Sequence, residues 1–124
     1  MKVKCMNIYD VRTRRYKNTS RSLTIDKEYL VLEIIISAVN GSVYRLISEN
    51  KNSIPRLHNA LQFQIVSDLI PPNWEMNIVN NKLIILGPKI WTKNEFWDAY
   101  YDGNPIIKEI YKRETKIICE HENL

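Results

Sequence analysis

Short apolar runs separated by polar turns fill the first half of the chain. Residues 2–8 alternate polar and apolar side chains, which predicts a short strand. Residues 29–38 are dense in β-branched side chains and predict a central strand. Residues 42–48 are predicted to return beside it, because Asn40-Gly41 favours a type I′ hairpin turn with φ > 0 at both positions.

The same alternation continues to residue 88. Residues 54–60 predict an edge strand, since Pro55 lacks an N–H to donate to a neighbour. Residues 61–67 alternate apolar side chains with glutamines, which is typical of a half-buried strand. A second hairpin is predicted for residues 74–86, with Asn80-Asn81 at its turn because Asn tolerates the left-handed conformation.

The stretch "DLIPPNWEMNIV" sets Pro71-Pro72 and Trp74 between two apolar runs. The tryptophan could close a corner of the sheet or stand out for a partner. A large aromatic ring removes much apolar area from water when it is buried, so the sequence favours a corner with Trp74 in the core.

The last third changes to a helical period. Thr92 and Glu95 have capping-box spacing, and Trp91 with Phe96 has the spacing of a hydrophobic staple. We therefore predict one helix over residues 93–101, ended by Asp-Gly.

A second helix is predicted to start at Asn104-Pro105, with asparagine as the cap and proline at the first helical position. Its isoleucines recur at helical spacing and are expected to lie on the sheet.

Together these patterns predict an α+β fold, with a small, strongly bent antiparallel β-sheet or partial barrel and two C-terminal helices packed on it. We expect one domain over residues 1–124. Residues 1–22 form a strand and a basic loop, 23–88 the antiparallel sheet, and 92–120 the helices.

Composition places the chain among globular proteins, with 44% hydrophobic and 26% charged residues. No apolar run reaches the length of a membrane span, and the first residues lack the apolar region of a signal peptide. We expect a cytoplasmic protein without membrane contact, in which Cys5 and Cys119 are reduced thiols. Neither cysteine belongs to a metal-binding pattern, so we expect no metal and no cofactor.

The net charge of +4 is unevenly distributed. Residues 1–21 hold 7 basic and 1 acidic residue (7 − 1 = +6), and the remainder carries 11 − 13 = −2. A basic segment of this kind is either a solvated loop or a contact for nucleic acid or an acidic partner. Its candidate contact residues are Arg12, Arg14, Arg15 and Lys17.

Candidate catalytic groups are few. His58 and His121 are the two histidines, and the three glycines are isolated, so no phosphate loop is formed. A metal-independent nuclease built on His58 with Lys82 or Tyr44 is the least favoured alternative. The sequence predicts a protein that is not an enzyme and has no catalytic residues.

Binding has better candidates in "WTKNEFWDAYYDG". Its aromatic residues share one broad helical face and its acidic residues another. The aromatics could simply dock the helix on the sheet, or an exposed one could join the acids in a patch for a basic partner. The candidate partner-binding residues are Asp68, Glu75, Glu95, Trp97, Asp98, Tyr101 and Asp102.

Four segments in order, "LTIDKEYLVLEI", "VYRLISEN", "FQIVSDLIPPNWEM" and "IWTKNEFWDAYYDGNPIIKEIYKRE", resemble a family of small bacterial immunity proteins. The similarity covers about residues 23–113. The chain departs from that pattern at Asp26, where glycine is usual, and at Pro72, where serine is usual.

The resemblance implies a cytoplasmic antidote that binds a cognate toxin C-terminal domain, often a nuclease, one to one and occludes its active site. Such toxins include those of contact-dependent growth inhibition systems. The family carries over no catalytic residues. The alternative is a small nucleic-acid-binding module that uses the basic segment and aromatic side chains. The weakness of this alternative is that basic and aromatic residues are not interleaved along any predicted strand. Nucleic acid is therefore the less favoured partner.

Overall fold

The computed structural model describes residues 1–49, 54–93 and 95–123. Among these residues, nine strands precede two helices. The strands are β1 (Lys2–Cys5), β2 (Ile8–Asp10), β3 (Arg15–Lys17), β4 (Glu28–Ser37), β5 (Gly41–Ile47), β6 (Pro55–Asn59), β7 (Phe63–Ser67), β8 (Glu75–Val79) and β9 (Leu83–Gly87). The helices are α1 (Phe96–Tyr101) and α2 (Pro105–His121), with 3₁₀ turns at Ala60–Gln62 and Lys89–Thr92.

Strand β4 is the centre of an antiparallel sheet that divides in two. One long edge of β4 pairs with β5, which pairs with β6. On the other edge, the first residues of β4 pair with β1 and so lead to β7, whereas its last four residues pair with β9 and so lead to β8. A register shift between Val31 and Glu33 bends the strand. The α+β prediction of a bent antiparallel sheet with two C-terminal helices is confirmed.

The sheet is not closed into a barrel. In the part of the chain that the structure describes, the path of strands runs from β6 at one end to β7 at the other, and these two strands do not pair. The sheet is therefore open, in agreement with the predicted bent sheet.

The basic stretch predicted to be a loop contains a hairpin. Strands β2 and β3 pair antiparallel, with Tyr9 opposite Tyr16. Asp10 organises the turn, since its carboxylate accepts the Arg12 N–H at 2.9 Å and its carbonyl accepts the Arg14 N–H at 2.7 Å. Three-residue strands in a basic segment give too little hydrophobic alternation to be seen in the sequence.

One of the two predicted hairpin turns differs from expectation. At Asn40-Gly41 only Gly41 has positive φ (74°), and the Ser37 hydroxyl accepts the N–H groups of Val39 and Asn40, so this is a longer loop and the type I′ prediction is wrong. At Asn80-Asn81 both residues have positive φ, 54° and 57°, which is the type I′ pattern.

Helix α1 starts later than predicted, and the capping box is wrong. Thr92 belongs to a 3₁₀ turn and its hydroxyl donates to the Lys89 carbonyl at 2.7 Å, so it caps no helix. Lys93 is extended, and Glu95 occupies the N-cap position of α1 without a side-chain capping bond. The predicted Trp91–Phe96 contact is present, with ring centroids 6.4 Å apart.

The predicted start of α2 is confirmed. The Asn104 side chain accepts the N–H groups of Ile106 and Ile107 at 3.0 and 3.2 Å, and Pro105 is the first helical residue. Its apolar face carries Tyr111 and Ile118 into the core. None of the helices in the described part of the chain is both long and apolar enough to cross a membrane.

An aromatic cluster joins both helices to the 3₁₀ turn at Lys89–Thr92. Trp91 is 2% exposed, and its ring stacks on Tyr111 of α2 at 5.7 Å and meets Trp97 of α1 at 5.2 Å. Ring pairs at these separations stabilise beyond the area that they bury. The short helix α1 is therefore held by its side chains more than by its six residues of helix.

Trp74 lies in the core, as predicted, at the corner between β7 and β8. It is 8% exposed, and its backbone N–H donates to the carbonyl of buried Pro71 at 3.1 Å. The neighbouring Asn73 amide donates to the Glu114 carbonyl and carboxylate of α2, both at 3.1 Å. The corner thus closes the sheet over the core and ties it to α2. Cys5 and Cys119 are free thiols.

Candidate functional site

A cleft of about 240 Å³ separates α1 from the sheet, and we call it the α1 cleft. Glu33 and Arg45 line it from the sheet, and Trp91, Phe96 and Trp97 line it from the helical side. Charged residues that precede or belong to α1 also line the cleft. These are Lys93, Glu95 and Asp98.

Arg45 is the centre of a buried network beside this cleft. Its Nε donates to Glu33 Oε1 at 2.9 Å, and the side chains of the pair are 7% and 2% exposed. Its Nη1 donates to the Tyr101 hydroxyl at 3.1 Å, and that hydroxyl donates to the Pro55 carbonyl at 2.5 Å. The guanidinium carbon lies 3.8 Å from the centre of the Trp97 ring, within cation–π range. One side chain thus connects β4, β5, β6 and α1.

Strand register explains why Glu33 and Arg45 meet. They are directly opposite in the β4–β5 ladder and therefore project from the same face. Gly87 of β9 makes room on that face, since a Cβ at Gly87 would lie 3.0 Å from Glu33 Cγ. Burial raises the pKa of Glu33, and the Arg45 guanidinium opposes that rise.

Five of the seven predicted partner-binding residues lie on or beside α1. Trp97 is half-buried under Arg45, so it serves structure more than a partner. Tyr101 is 47% exposed although its hydroxyl is engaged. Exposed Glu95, Asp98 and Asp102 complete the set on or beside α1.

Asp68 and Glu75 are exposed but belong to other elements. Asp68 follows β7, and Glu75 is the first residue of β8, opposite Gly87. Neither lines the α1 cleft. The acidic surface supported by the structure is therefore the one on α1, and we name Glu95, Asp98, Tyr101 and Asp102 the α1 surface.

Glu95 has an unusual backbone for its residue type. Its φ of 66° is in the left-handed region, which asparagine and glycine adopt more readily than glutamate. Such residues cost stability and are found disproportionately at binding and active sites. A substitution at Glu95 can therefore test whether this backbone conformation lowers the stability of the fold.

We expect Glu95→Asn to raise the free energy of unfolding by a few tenths to about 1 kcal/mol, because asparagine relieves the left-handed strain. Urea denaturation followed by tryptophan fluorescence measures this change. The matched control is Glu109→Asn on α2, an exposed helical position with ordinary φ, where asparagine should lower stability slightly. Lower stability in Glu95→Asn would contradict the strain.

A second and larger cavity, of about 1040 Å³, lies between the β2–β3 hairpin and the β5–β6 strands; we call it the hairpin groove. Of the four predicted basic contact residues, Lys17 lines it, whereas Arg12, Arg14 and Arg15 are exposed on the hairpin outside it. Arg21, which the sequence analysis did not single out, also lines it. The Lys17 ammonium lies 3.0 Å from Asp10 Oδ2.

His58 lines the hairpin groove from β6. It is directly opposite Tyr44 in the β5–β6 register, as the nuclease alternative needs, but Lys82 is in the β8–β9 turn and does not line the groove. Burial, with a smaller effect of Arg56, lowers the pKa of His58. No group of three metal-ligating side chains was found within residues 1–49, 54–93 and 95–123.

The Glu33–Arg45 ion pair beside the candidate site was missed by the sequence analysis. A signal for it exists, because Glu33 is the single charge within the apolar run "LVLEIII" of a predicted central strand. A charge there must be paired if it is buried. Its partner could not be named, since the bulge after Val31 sets the register that brings Arg45 opposite.

No protein-family model, curated protein or solved structure matches this chain. The likeness to immunity proteins therefore rests on the four sequence segments alone. Two of these segments meet in space, since Arg45 of "VYRLISEN" contacts Trp97 and Tyr101 of the α1 segment. Asp26, where that family has glycine, has a φ of 72°, in the region that glycine adopts readily.

Proposed function

We propose that this protein is a cytoplasmic immunity protein, which binds a cognate toxin domain one to one through the α1 surface and blocks its active site. One observation carries the choice of surface. Three carboxylates and the exposed Tyr101 edge lie on or beside a helix whose inner side is held by the Arg45 network.

The rigid support of the α1 surface favours tight binding. Side chains that are already ordered lose less conformational entropy on association. Tyr101 is held at its hydroxyl by both Arg45 and the Pro55 carbonyl, so its ring edge is presented in one orientation. An aromatic side chain beside charged ones is typical of the residues that dominate interface energy.

The charge of the α1 surface indicates the chemistry of its partner. Glu95, Asp98 and Asp102 form no ion pair with the other described residues under a 4.0 Å criterion. Free carboxylates attract a basic surface and accelerate encounter with it. A nuclease toxin, whose active site binds phosphates, has such a surface, which supports the toxin interpretation.

Asp98→Lys is expected to weaken binding of the toxin by at least about tenfold, or about 1.4 kcal/mol, because it places a cation against the basic partner. The free energy of unfolding should change by less than about 1 kcal/mol, since Asp98 is exposed near the start of α1. Titration of purified toxin by isothermal calorimetry measures the affinity. The control Glu120→Lys makes the same charge change on α2, where Glu120 is exposed, and should bind normally.

The partner itself is tested by affinity purification. The tagged chain is recovered from its native cell after nuclease treatment, and bound proteins are identified by mass spectrometry. One stoichiometric protein that loses its toxicity when the chain is added supports the proposal. Toxicity that is unchanged when the chain is added would overturn the proposed function. Unchanged affinity in Asp98→Lys would overturn the choice of the α1 surface.

A further inference from the structure

Among the described residues that line the hairpin groove, Asp10 is the one with a carboxylate, and that carboxylate is engaged. Asp10 accepts from the Lys17 ammonium at 3.0 Å and from the Arg12 N–H at 2.9 Å. Arg21 lines the groove and makes no ion pair under the 4.0 Å criterion with any residue that the structure describes. The groove therefore has unneutralised positive charge, which increases with the exposed arginines on the adjacent hairpin.

Neutral hydrogen-bonding groups make up most of the remaining polar lining. Hydroxyls come from the segment after β3, and amides from the β4–β5 loop and the end of β6. They are Thr19, Ser20, Ser22, Asn40 and Asn59. Hydroxyl and amide groups beside guanidinium charge are suited to phosphate oxygens and base edges. His58 adds a ring nitrogen, Nε2, which is buried and has no hydrogen-bond partner among the described residues.

Strand β3 also interleaves basic and aromatic side chains. The sequence analysis predicted a loop here and therefore no such strand. Arg15 and Lys17 flank Tyr16, and alternation in the strand places the tyrosine on the opposite face from both. Tyr16 is 59% exposed, and its ring lies 5.2 Å from that of Tyr9, which lines the groove. Tyr16 does not itself line the groove, but a nucleic-acid strand that leaves the groove around the hairpin reaches this exposed ring, and unpaired bases stack on such rings.

We propose that the hairpin groove binds single-stranded nucleic acid, with Arg21 at a phosphate in the groove and Tyr16, on the opposite face of β3 from Lys17, stacked on a base of the same nucleic-acid strand outside the groove. The cavity of about 1040 Å³ is large enough for a nucleotide and part of its neighbour. This site is separate from the α1 surface, because the two share no lining residue and lie on different elements. The proposal does not depend on a toxin partner.

The test is fluorescence anisotropy with 5′-fluorescein-labelled 12-mers of oligo(dT) and oligo(rU). Contact with two or three phosphates predicts that Kd rises by about 7- to 18-fold between about 50 and 200 mM salt. We expect Arg21→Gln to weaken binding by at least about threefold, and to reduce the salt slope by about 0.7. Tyr16→Ser should weaken binding by at least about fivefold.

Lys82→Gln is the matched control, because it removes one exposed positive charge at the β8–β9 turn, outside the groove. Equal weakening in Arg21→Gln and Lys82→Gln would overturn the assignment to the groove, as would undetectable binding of both 12-mers at about 50 mM salt. A poly-glutamate 12-mer that displaces oligo(dT) at equal concentration would overturn recognition of bases and leave a general polyanion surface.

Histidine NMR locates the ligand independently of the variants. The chain has two histidines, so its ring Cε1–H spectrum contains two signals, and His58→Gln assigns them. Oligo(dT) should shift the His58 signal and leave that of exposed His121 unchanged. Bound oligo(dT) that leaves the His58 signal unchanged would contradict the proposal.

Discussion

Replacement of Arg45 by methionine is expected to lower the free energy of unfolding by about 3–5 kcal/mol at neutral pH, the usual cost of removing one partner of a buried ion pair. The Glu33 carboxylate would be left 2% exposed without its partner, and Trp97 would lose the guanidinium on its ring. Urea denaturation followed by tryptophan fluorescence measures the loss.

The loss should depend on pH, with a sign that identifies its cause. Burial raises the pKa of Glu33, and removal of Arg45 also removes the charge that opposes this rise. The folded variant then binds a proton at higher pH than the unfolded chain, so its stability falls as pH rises from the unfolded value toward the raised pKa. The deficit relative to the native protein should be smaller at about pH 4.5 than at about pH 7.5.

Two further variants separate charge from packing. Glu33→Gln in the Arg45→Met background should abolish the additional pH dependence, because no buried carboxyl remains. Glu33→Met with Arg45→Met should recover most of the lost stability, since apolar residues of similar volume replace buried pairs at little cost. An Arg45→Met deficit that is the same at both pH values would show that packing on Trp97 and Tyr101, and not the buried carboxylate, determines the effect.

The fold follows from the sequence wherever pattern and local chemistry agree. Alternation and β-branched runs identify the strands of the main sheet, and Asn104-Pro105 identifies the start of α2. The hairpin at Asn40-Gly41 was predicted at the right place with the wrong turn. The Ser37 hydroxyl accepts two backbone N–H groups and stabilises a longer loop, and the Asn-Gly rule for two-residue turns does not take this serine contact into account.

The predicted capping box at Thr92 and Glu95 does not form, because tertiary contacts of Trp91 oppose it. Trp91 must reach both Phe96 and Tyr111, and the chain satisfies this by forming a 3₁₀ turn over Lys89–Thr92 before α1 begins. The aromatic contacts outweigh a local cap of about 1 kcal/mol. This arrangement also puts Glu95 in its left-handed conformation, which no sequence rule for a helix interior would predict.

The sequence predicted only part of the candidate site. Its acidic residues are close together in the sequence, whereas the residues that hold α1 in place come from distant parts of the chain. Glu95, Asp98, Tyr101 and Asp102 are close in sequence and remain close in space. Asp68 and Glu75 were grouped with them by charge alone, and charge does not determine proximity. The Arg45 network connects four elements through strand register, and such information becomes available only when the pairing of β4 and β5 is known.

Trp74→Ala is expected to lower the free energy of unfolding by about 3–5 kcal/mol, because it leaves a cavity at the corner where the sheet closes over the core. The ring is 8% exposed, and the corner is tied to α2 by the Asn73 amide, so little room exists for collapse. Urea denaturation gives the change, and toxin affinity in calorimetry should remain within about twofold for the fraction that is folded.

Trp74→Phe is the informative control. The Trp74 Nε1–H is buried without a hydrogen-bond partner among the described residues, so phenylalanine loses apolar area but no hydrogen bond. It should therefore cost clearly less than alanine. If Trp74→Ala folds with native stability and fails to bind the toxin, then the tryptophan is a contact residue, and the interface lies at the β7–β8 corner with Asp68 and Glu75 instead of on α1. Loss of stability with binding retained would place the corner in the scaffold and leave the α1 surface as the toxin-binding site.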